Sequence, residues 1–247
     1  MRAARSEKQL LMLTTFTLLV IFAATLIRAT FGFGDALIAM PLLALVLGIQ
    51  SATPLVAFVS TTIAATIVWS SWREVDLKAA WRLILSSLIG IPVGLTILTA
   101  APEQVVKGML ALLLVGFGIY NLTRPALASL QNQQWAYIFG FIAGIFGGAY
   151  NTNGPLIVIY GSLRRWSPGR FRATLQGYFL PTGTLILAGH GLSGLWTPQV
   201  WRLYGLALPL VLLAIFLGGQ LNQRIPSGRF DRYIYGALII LGIMLLA

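Results

Sequence analysis

The 247-residue chain contains no cysteine, a single histidine and only six acidic residues. The absence of cysteine excludes disulfides, thiolate nucleophiles and cysteine-ligated metals. One histidine and six scattered carboxylates also leave too few groups for a catalytic metal cluster or for acid–base machinery. We therefore expect neither an enzyme nor a bound metal or other cofactor.

Charged residues are scarce as well. They make up 9% of the chain, against 57% hydrophobic residues, and the mean hydropathy is +0.84. This composition is typical of an integral membrane protein. The apolar runs, of about 15 to 20 residues, are longer than the roughly ten-residue alternating strands of an outer-membrane barrel. The sequence thus predicts an all-α polytopic membrane protein whose partner is the lipid bilayer.

The net charge of +11 does not indicate a nucleic-acid partner. Most arginines and lysines lie between apolar segments, where the positive-inside rule places them, so we expect no nucleic-acid binding. Arg2, Arg5 and Lys8 precede the first apolar run as in a signal peptide, but no clear small-x-small cleavage site follows before Arg28. This pattern favours a retained first helix.

The chain has ten apolar segments, five before and five after a polar link that contains Arg124-Pro125 and Gln131 to Gln134. The link predicts a first membrane repeat at 1–122, a linker at 123–134 and a second membrane repeat at 135–247. The first five segments cover residues 10–30, 36–49, 52–71, 80–99 and 103–121, and the second five cover 135–150, 155–164, 168–190, 197–220 and 229–247.

The two sets of segments correspond residue by residue. Marker residues recur in the same order at slowly rising offsets, which small insertions explain and chance does not, so we predict a twofold internal repeat. The markers are Pro41 with Pro155 and Pro54 with Pro168, each 114 residues apart, Trp81-Arg82 with Trp201-Arg202, 120 apart, and Pro102 and Gly118 with Pro226 and Gly242, 124 apart.

The basic links predict that the two repeats have opposite orientations. In the second half, the links at 164–172 and 224–232 carry clustered arginines. In the first half, the link at 73–82 carries two arginines and Lys78. The equivalent of each of these links in the opposite half has no arginine or lysine. Equivalent links then lie on opposite sides of the membrane, as in inverted-repeat transporters. Segment 155–164 is too short to span about 30 Å. We therefore predict, in each repeat, a broken or re-entrant hairpin followed by three transmembrane helices.

This topology places the C-terminus on the outer, periplasmic side of a bacterial inner membrane. Arg2, Arg5 and Lys8 favour a cytoplasmic N-terminus, whereas the first hairpin would begin outside. The sequence leaves open the side of the N-terminus and whether segment 10–30 crosses fully.

A break in the second half predicts an anion site. The stretch from Gly144 to Pro155 interrupts apolar sequence with Asn151-Thr152-Asn153, and broken backbone at membrane depth survives only inside protein or beside a cavity. Pro155 suits the first turn of a helix, whose free N–H groups and positive dipole end attract an anion. We expect Asn151, Thr152, Asn153 and Gly148 to contact it. The alternative is that the polar residues only cap the turn.

The break in the first half is flanked by charge. Phe31 to Gly34 is followed by Asp35 and preceded by Arg28, and ionisable groups within apolar sequence are usually functional. The guanidinium of Arg28 matches the oxygens of a sulfonate or carboxylate, so Arg28 and Gly34 are candidate binding residues, unless Arg28 only snorkels to the interface. Asp35 either pairs with Arg28, caps a helix or carries a coupling proton.

Further polar residues of the third segments are expected to line the same cavity, unless they bond only their own backbone. Thr61 and Gln176 are the candidates, beside Ser60, Thr62 and Thr174. Arg164 and Arg165 are assigned to topology alone, as Arg170 and Arg172 are in the main. His190 is expected to be an interface residue rather than a proton relay.

The chain resembles the TauE/SafE family of sulfite and organosulfonate exporters. The residues that carry the resemblance are Phe31 to Leu43, a glycine-rich motif that ends in Pro-Leu, Gly140 to Leu156, and Phe171-Arg-Ala-Thr-Leu175. It extends over nearly the whole chain, although many members have a further glycine where Asp35 and Ala149 stand. The resemblance implies export of sulfite, a small sulfonate or another small anion.

Together these patterns predict an inner-membrane secondary transporter that exports sulfite or an organosulfonate, with the anion bound between the two helix breaks. A small-anion channel, or an uptake carrier for another small carboxylate or oxyanion, remains the alternative. The sequence does not fix the coupling ion, and it leaves a homodimer open.

Overall fold

The computed structural model describes residues 2–71, 77–123, 129–222 and 231–246, and within them the side chains of a few residues, including Gln176, lie outside the described part. These ranges form ten α-helices and no strand, one helix for each predicted apolar segment. The helices are α1 (Arg2–Phe31), α2 (Asp35–Leu47), α3 (Ile49–Ser71), α4 (Leu77–Ala100), α5 (Glu103–Thr123), α6 (Trp135–Tyr150), α7 (Gly154–Leu163), α8 (Pro168–Leu192), α9 (Pro198–Asn222) and α10 (Asp231–Met244).

Five of the described helices are long and apolar enough to cross a membrane: α1, α3, α4, α5 and α9. The apolar helices α2, α6 and α7 are shorter, at 13, 16 and 10 residues. The predicted all-α polytopic membrane protein is therefore confirmed. The apolar part of α1, Glu7–Phe31, has 25 residues, so the first segment is long enough to cross fully.

Glycines bring α4 and α6 into backbone contact. A Cβ atom on Gly144 would lie 2.6 Å from the carbonyl oxygen of Ser87 and 3.1 Å from the Cα atom of Gly90. One turn further along both helices, Gly148 lies directly against Ile91. Small residues allow such close packing between membrane helices. Because both positions advance together, α4 and α6 run parallel.

The same relationship holds between α1 and α9, which pack extensively on each other. Gly218 of α9 lies against Leu26 and Ala29 of α1, and the Asn222 side chain donates a hydrogen bond to the carbonyl of Thr30. Their carboxyl ends thus lie together, so these helices also run parallel. The first helix of each half packs on the fourth helix of the other half, and the two halves interleave.

The helices α5 and α10 cross in opposite directions. A Cβ atom on Gly118 of α5 would lie 2.9 Å from the carbonyl oxygen of Tyr235 in α10. A Cβ atom on Gly242 of α10 would lie 3.0 Å from the carbonyl oxygen of Ala111 in α5. Both pairs are related by the same 124-residue offset that the sequence predicted for these glycines. Such reciprocal, antiparallel contacts are what a twofold axis perpendicular to the helices produces.

The third helices of the halves, α3 and α8, show the same antiparallel crossing. Ala57 packs in one apolar cluster with Ile186, and one turn later Thr61 lies beside Gly183. The residue numbers rise on one helix as they fall on the other. The inverted-topology repeat stays a prediction, and both crossings are compatible with it.

The offset of 114 predicted from the prolines does not align the helices. α2 and α7 begin at Asp35 and Gly154, and α3 and α8 at Ile49 and Pro168, so both pairs of helix starts lie 119 residues apart. Pro41 lies inside α2, whereas Pro155 stands in the first turn of α7. The equivalence of these two prolines is therefore wrong, because one replaces an interior residue and the other begins a helix.

Candidate functional site

Two short helices, one from each half, begin at the same cavity. Its walls come from residues 33–37 around the start of α2 and from 151–155 around the start of α7, together with Arg28, Ser60, Phe179 and Gly183. Gly34 precedes α2 with φ of 105°, a left-handed conformation that glycine adopts without strain. The break before each helix therefore directs free N–H groups and a positive dipole end towards the cavity.

The first half of the chain contributes a buried ion pair to the site. Arg28 Nη1 donates to Asp35 Oδ2 at 2.8 Å, and the two side chains are only 4% and 8% exposed. The Ser60 hydroxyl of α3 donates to the same carboxylate oxygen. Asp35 also lies in the first turn of α2, where a negative charge is favoured by the helix dipole. Among the residues that line the cavity, these two opposite charges cancel.

Arg28 retains binding capacity beyond this pair. Its guanidinium carbon lies 4.9 Å from the centroid of the Phe179 ring, which gives it an aromatic support. Its Nε atom is buried and has no hydrogen-bond partner in the described structure. A guanidinium has five N–H donors in a planar fork, so an oxyanion could still be bound here.

Neutral polar groups form the second half of the site. Asn151 ends α6 with φ of 53°, and its N–H donates to the carbonyl of Gly147 at 2.7 Å. Thr152 Oγ1 donates to the carbonyl of Tyr150 at 2.9 Å. Asn153 precedes α7, forms no side-chain capping bond, and donates instead to Thr182 Oγ1 at 3.4 Å. Its side chain therefore leaves the first N–H groups of α7 uncapped.

The structure brings most of the predicted residues together: Arg28, Gly34, Asp35, Asn151, Thr152 and Asn153 all line the cavity. Gly148 does not line it, because it packs on α4 through Ile91. Thr61 also lies outside the lining, with a buried Oγ1 that has no partner in the described structure. Gln176 lies in α8, and its side chain is outside the described residues.

Ser60, which the sequence named beside Thr61, also lines the cavity, whereas Phe179 and Gly183 line it and were not among the sequence candidates. Ser60 and Phe179 lie 119 residues apart, the offset that separates the helix starts. The 119-residue offset between helix starts would therefore have pointed from Ser60 to Phe179, whereas the proline offset of 114 did not. Gly183 carries no polar group, so its residue type gave no signal.

Two further interpretations need correction. Arg164, assigned to topology alone, donates from Nη1 to the carbonyls of Leu130 and Gln131, both at 2.6 Å, and so ties the linker to the end of α7. His190, expected at an interface, is fully buried between helices. The side chains of Arg170 and Arg172 lie outside the described residues.

The cavity is small. About 20 Å³ is open to the centre of a water molecule, which is room for about one water. No group of three or more metal-ligating side chains occurs among the described residues. What the site offers is a buried Arg28–Asp35 ion pair, two helix starts and neutral amide and hydroxyl groups.

Comparison with known proteins places the chain in a family. The family described as "Sulfite exporter TauE/SafE" matches residues 17–245. A protein of Cupriavidus necator named "Probable sulfite/organosulfonate exporter TauE" is 23% identical over 232 residues, covering 91% of this chain and 90% of its own. One of Sinorhizobium sp, named "Probable membrane transporter protein ORF9", is 25% identical over 187 residues, covering 73% and 70%. No solved structure matches significantly. The chain belongs to the sulfite exporter TauE/SafE family and is a membrane transporter rather than an enzyme.

Proposed function

We propose that this protein is a secondary transporter of a bacterial inner membrane that exports sulfite or a small organosulfonate. The observation that carries the proposal is the position of Arg28, a buried cation at the cavity where α2 and α7 both begin. The name of the Cupriavidus necator relative supports the same substrate class.

The chemistry of the cavity suits a small oxyanion. Two helix N-termini and a guanidinium supply positive potential, and Asn151 and Asn153 add neutral donors that do not fix the charge of the ligand. Phe33 and Phe179 line the cavity beside these groups. They would contact the organic part of a sulfonate while its oxygens face Arg28.

Asp35 makes the charge of the site adjustable. In this conformation the carboxylate holds Nη1 of Arg28, so an anion must share the guanidinium with Asp35 or displace it. If Asp35 takes up a proton when the anion binds, the cavity keeps the same net charge and avoids burying an unpaired ion. Asp35 is therefore the candidate for coupling transport to protons.

The interleaved halves suit alternating access. The antiparallel crossings α3 with α8 and α5 with α10 support two inverted-topology repeats, 1–122 and 135–247, around the central cavity. In this arrangement the C-terminus is periplasmic. A single chain supplies the described walls of the cavity, so the proposed site lies within one protomer.

Flux measurements in proteoliposomes test the proposal. The full chain is reconstituted, and efflux of sulfite, sulfoacetate and a carboxylate of similar size is followed for the parent and for Arg28→Gln. The matched control is Arg82→Gln, which removes a positive charge stacked on Trp81, outside the cavity. We expect Arg28→Gln to reduce sulfite flux at least tenfold and the control to transport like the parent.

Two results would overturn parts of the proposal. Unchanged flux in Arg28→Gln for every transported anion would remove Arg28 from the site. Ohmic conductance of the parent in a planar bilayer, without saturation, would replace the carrier with an anion channel.

A further inference from the structure

The last turn of α6 ends in carbonyl groups that no following helical residue can satisfy. Two of them are bound by later backbone N–H groups: Gly147 accepts from Asn151 at 2.7 Å, and Phe146 accepts from Thr152 at 3.2 Å. Tyr150 accepts from the Thr152 hydroxyl. The carbonyls of Gly148 and Ala149 have no backbone partner of this kind, although they immediately precede the polar break.

Side chains from two other helices bind these remaining carbonyls. His190 Nε2 of α8 lies 3.0 Å from the Gly148 oxygen. Thr53 Oγ1 of α3 lies 3.4 Å from the Ala149 oxygen, and it bonds more closely to Ile49 of its own helix, at 2.8 Å. His190 is thus the stronger of the two external contacts.

The geometry fixes how the imidazole is used. A carbonyl oxygen only accepts hydrogen bonds, so Nε2 carries a hydrogen, and in the neutral imidazole Nδ1 is then the bare ring nitrogen. Nδ1 is buried without a partner in the described structure. Burying an unpaired polar atom is costly, whereas leucine would fill the space without that cost. The benefit of histidine at this point is therefore its single hydrogen-bond donor to the Gly148 carbonyl.

We propose that His190 is a positioning residue for the anion site: it holds the end of α6 in place and thereby sets where Asn151 to Asn153 face the cavity. The proposal rests on the proposed function for its substrate. The path is short, because Gly148 lies one turn before Thr152 and the backbone between them ends the helix in a left-handed residue. His190 itself does not line the cavity.

Side-chain isosteres separate positioning from packing. Glutamine can place an amide N–H near the position of Nε2, whereas asparagine reaches only to the level of Nδ1, and leucine offers no donor. We expect His190→Leu and His190→Asn to raise the half-saturating sulfite concentration about tenfold at similar maximal flux, and His190→Gln to stay within about threefold of the parent. Thr53→Val, which removes the longer contact, should also stay within about threefold.

A second measurement does not depend on transport. The chain has no cysteine, so Asn153→Cys introduces a single thiol at the break. We expect His190→Leu to change the rate at which a small anionic methanethiosulfonate modifies this thiol by at least threefold, and His190→Gln to leave the rate unchanged. This comparison remains valid if the parent exports no sulfite, in which case only the proposed substrate fails.

The positioning role is overturned by either of two outcomes. In one, His190→Leu keeps both the parent's half-saturating concentration and the parent's labelling rate. In the other, His190→Gln is as impaired as His190→Leu, which would make the imidazole ring itself the requirement. If His190→Leu does not fold, the same two measurements are compared between His190→Asn and His190→Gln. Equal values for these two variants would then overturn the positioning role.

Discussion

Arg28 and Asp35 form a buried ion pair across the break between α1 and α2, with Nη1 and Oδ2 2.8 Å apart. The carboxylate therefore already occupies part of the guanidinium that an incoming oxyanion would need. This relationship predicts competition between Asp35 and the substrate.

Asp35→Asn should tighten anion binding. Asparagine keeps the shape of the side chain and can still accept from Ser60, but it withdraws the negative charge from Arg28. We expect the dissociation constant for sulfite, measured by calorimetry on the purified protein, to fall about tenfold. The control is Glu103→Gln, which removes an acidic group from an exposed pair with Lys107 at 3.0 Å. Equal affinities of Asp35→Asn and the parent would contradict competition.

Gly144→Ala should destabilise the protein strongly. The added methyl group would meet the backbone of Ser87 at 2.6 Å, so α4 and α6 must separate. We expect a loss of about 2 kcal/mol or more, seen as a lower melting temperature in detergent. Gly108→Ala is the matched control, since nothing lies within 4 Å of a Cβ atom there and alanine favours helix. Equal melting temperatures for the two variants would refute the close packing of α4 on α6.

A disulfide should form between α3 and α8 in the double variant Thr61→Cys, Gly183→Cys. A Cβ atom on Gly183 would lie 3.2 Å from Thr61 Oγ1, so the two positions are adjacent. Because the parent has no cysteine, a mobility shift on non-reducing electrophoresis reports the crosslink directly. We expect the crosslink to block sulfite flux and reduction to restore it, since α3 and α8 come from different halves. Full flux in the oxidised form would show that this crossing stays fixed during transport.

Both termini should lie on the periplasmic side. α1 runs parallel to α9, so the N-terminus is expected on the side where α9 begins, next to the uncharged link 193–197. Alkaline phosphatase fused to the C-terminus should be active and green fluorescent protein dark, and a tag preceding Met1 should be accessible from the periplasm. A cytoplasmic N-terminus would contradict this prediction. It would mean that the basic residues Arg2 and Arg5, rather than the parallel packing of α1 on α9, indicate the side of the N-terminus correctly.

Helix positions follow closely from the sequence, because long apolar runs and their polar ends are local signals. Segment 135–150 coincides with α6, and segment 155–164 differs from α7 by one residue at each end. Arg28 and the polar break were identifiable for the same reason, since ionisable and amide groups are costly in apolar sequence. These features depend on neighbours in the chain alone.

Contacts between distant helices were not accessible in this way. Ser60 reaches the cavity and Thr61 does not, a difference set by the rotation of α3 about its axis. The hydrogen bond from His190 to the Gly148 carbonyl joins positions 42 residues apart, and no periodicity of the sequence predicts it. Proline was misleading as a marker because it serves both inside α2 and at the start of α7.

The interleaving of the halves imposes an order on assembly. During synthesis α1 enters the bilayer long before α9, the helix it packs against, has been made. In that interval Arg28 has Asp35 as a nearby counter-ion, only seven residues away, while the glycine face of α9 is still missing. Likewise, α4 is inserted before α6, the helix on which it packs, has been synthesised. The helices of the first half are therefore inserted into the bilayer while the faces that pack on α6 and α9 are still exposed to lipid. Folding of the transporter is completed only when these later helices pack against the earlier ones.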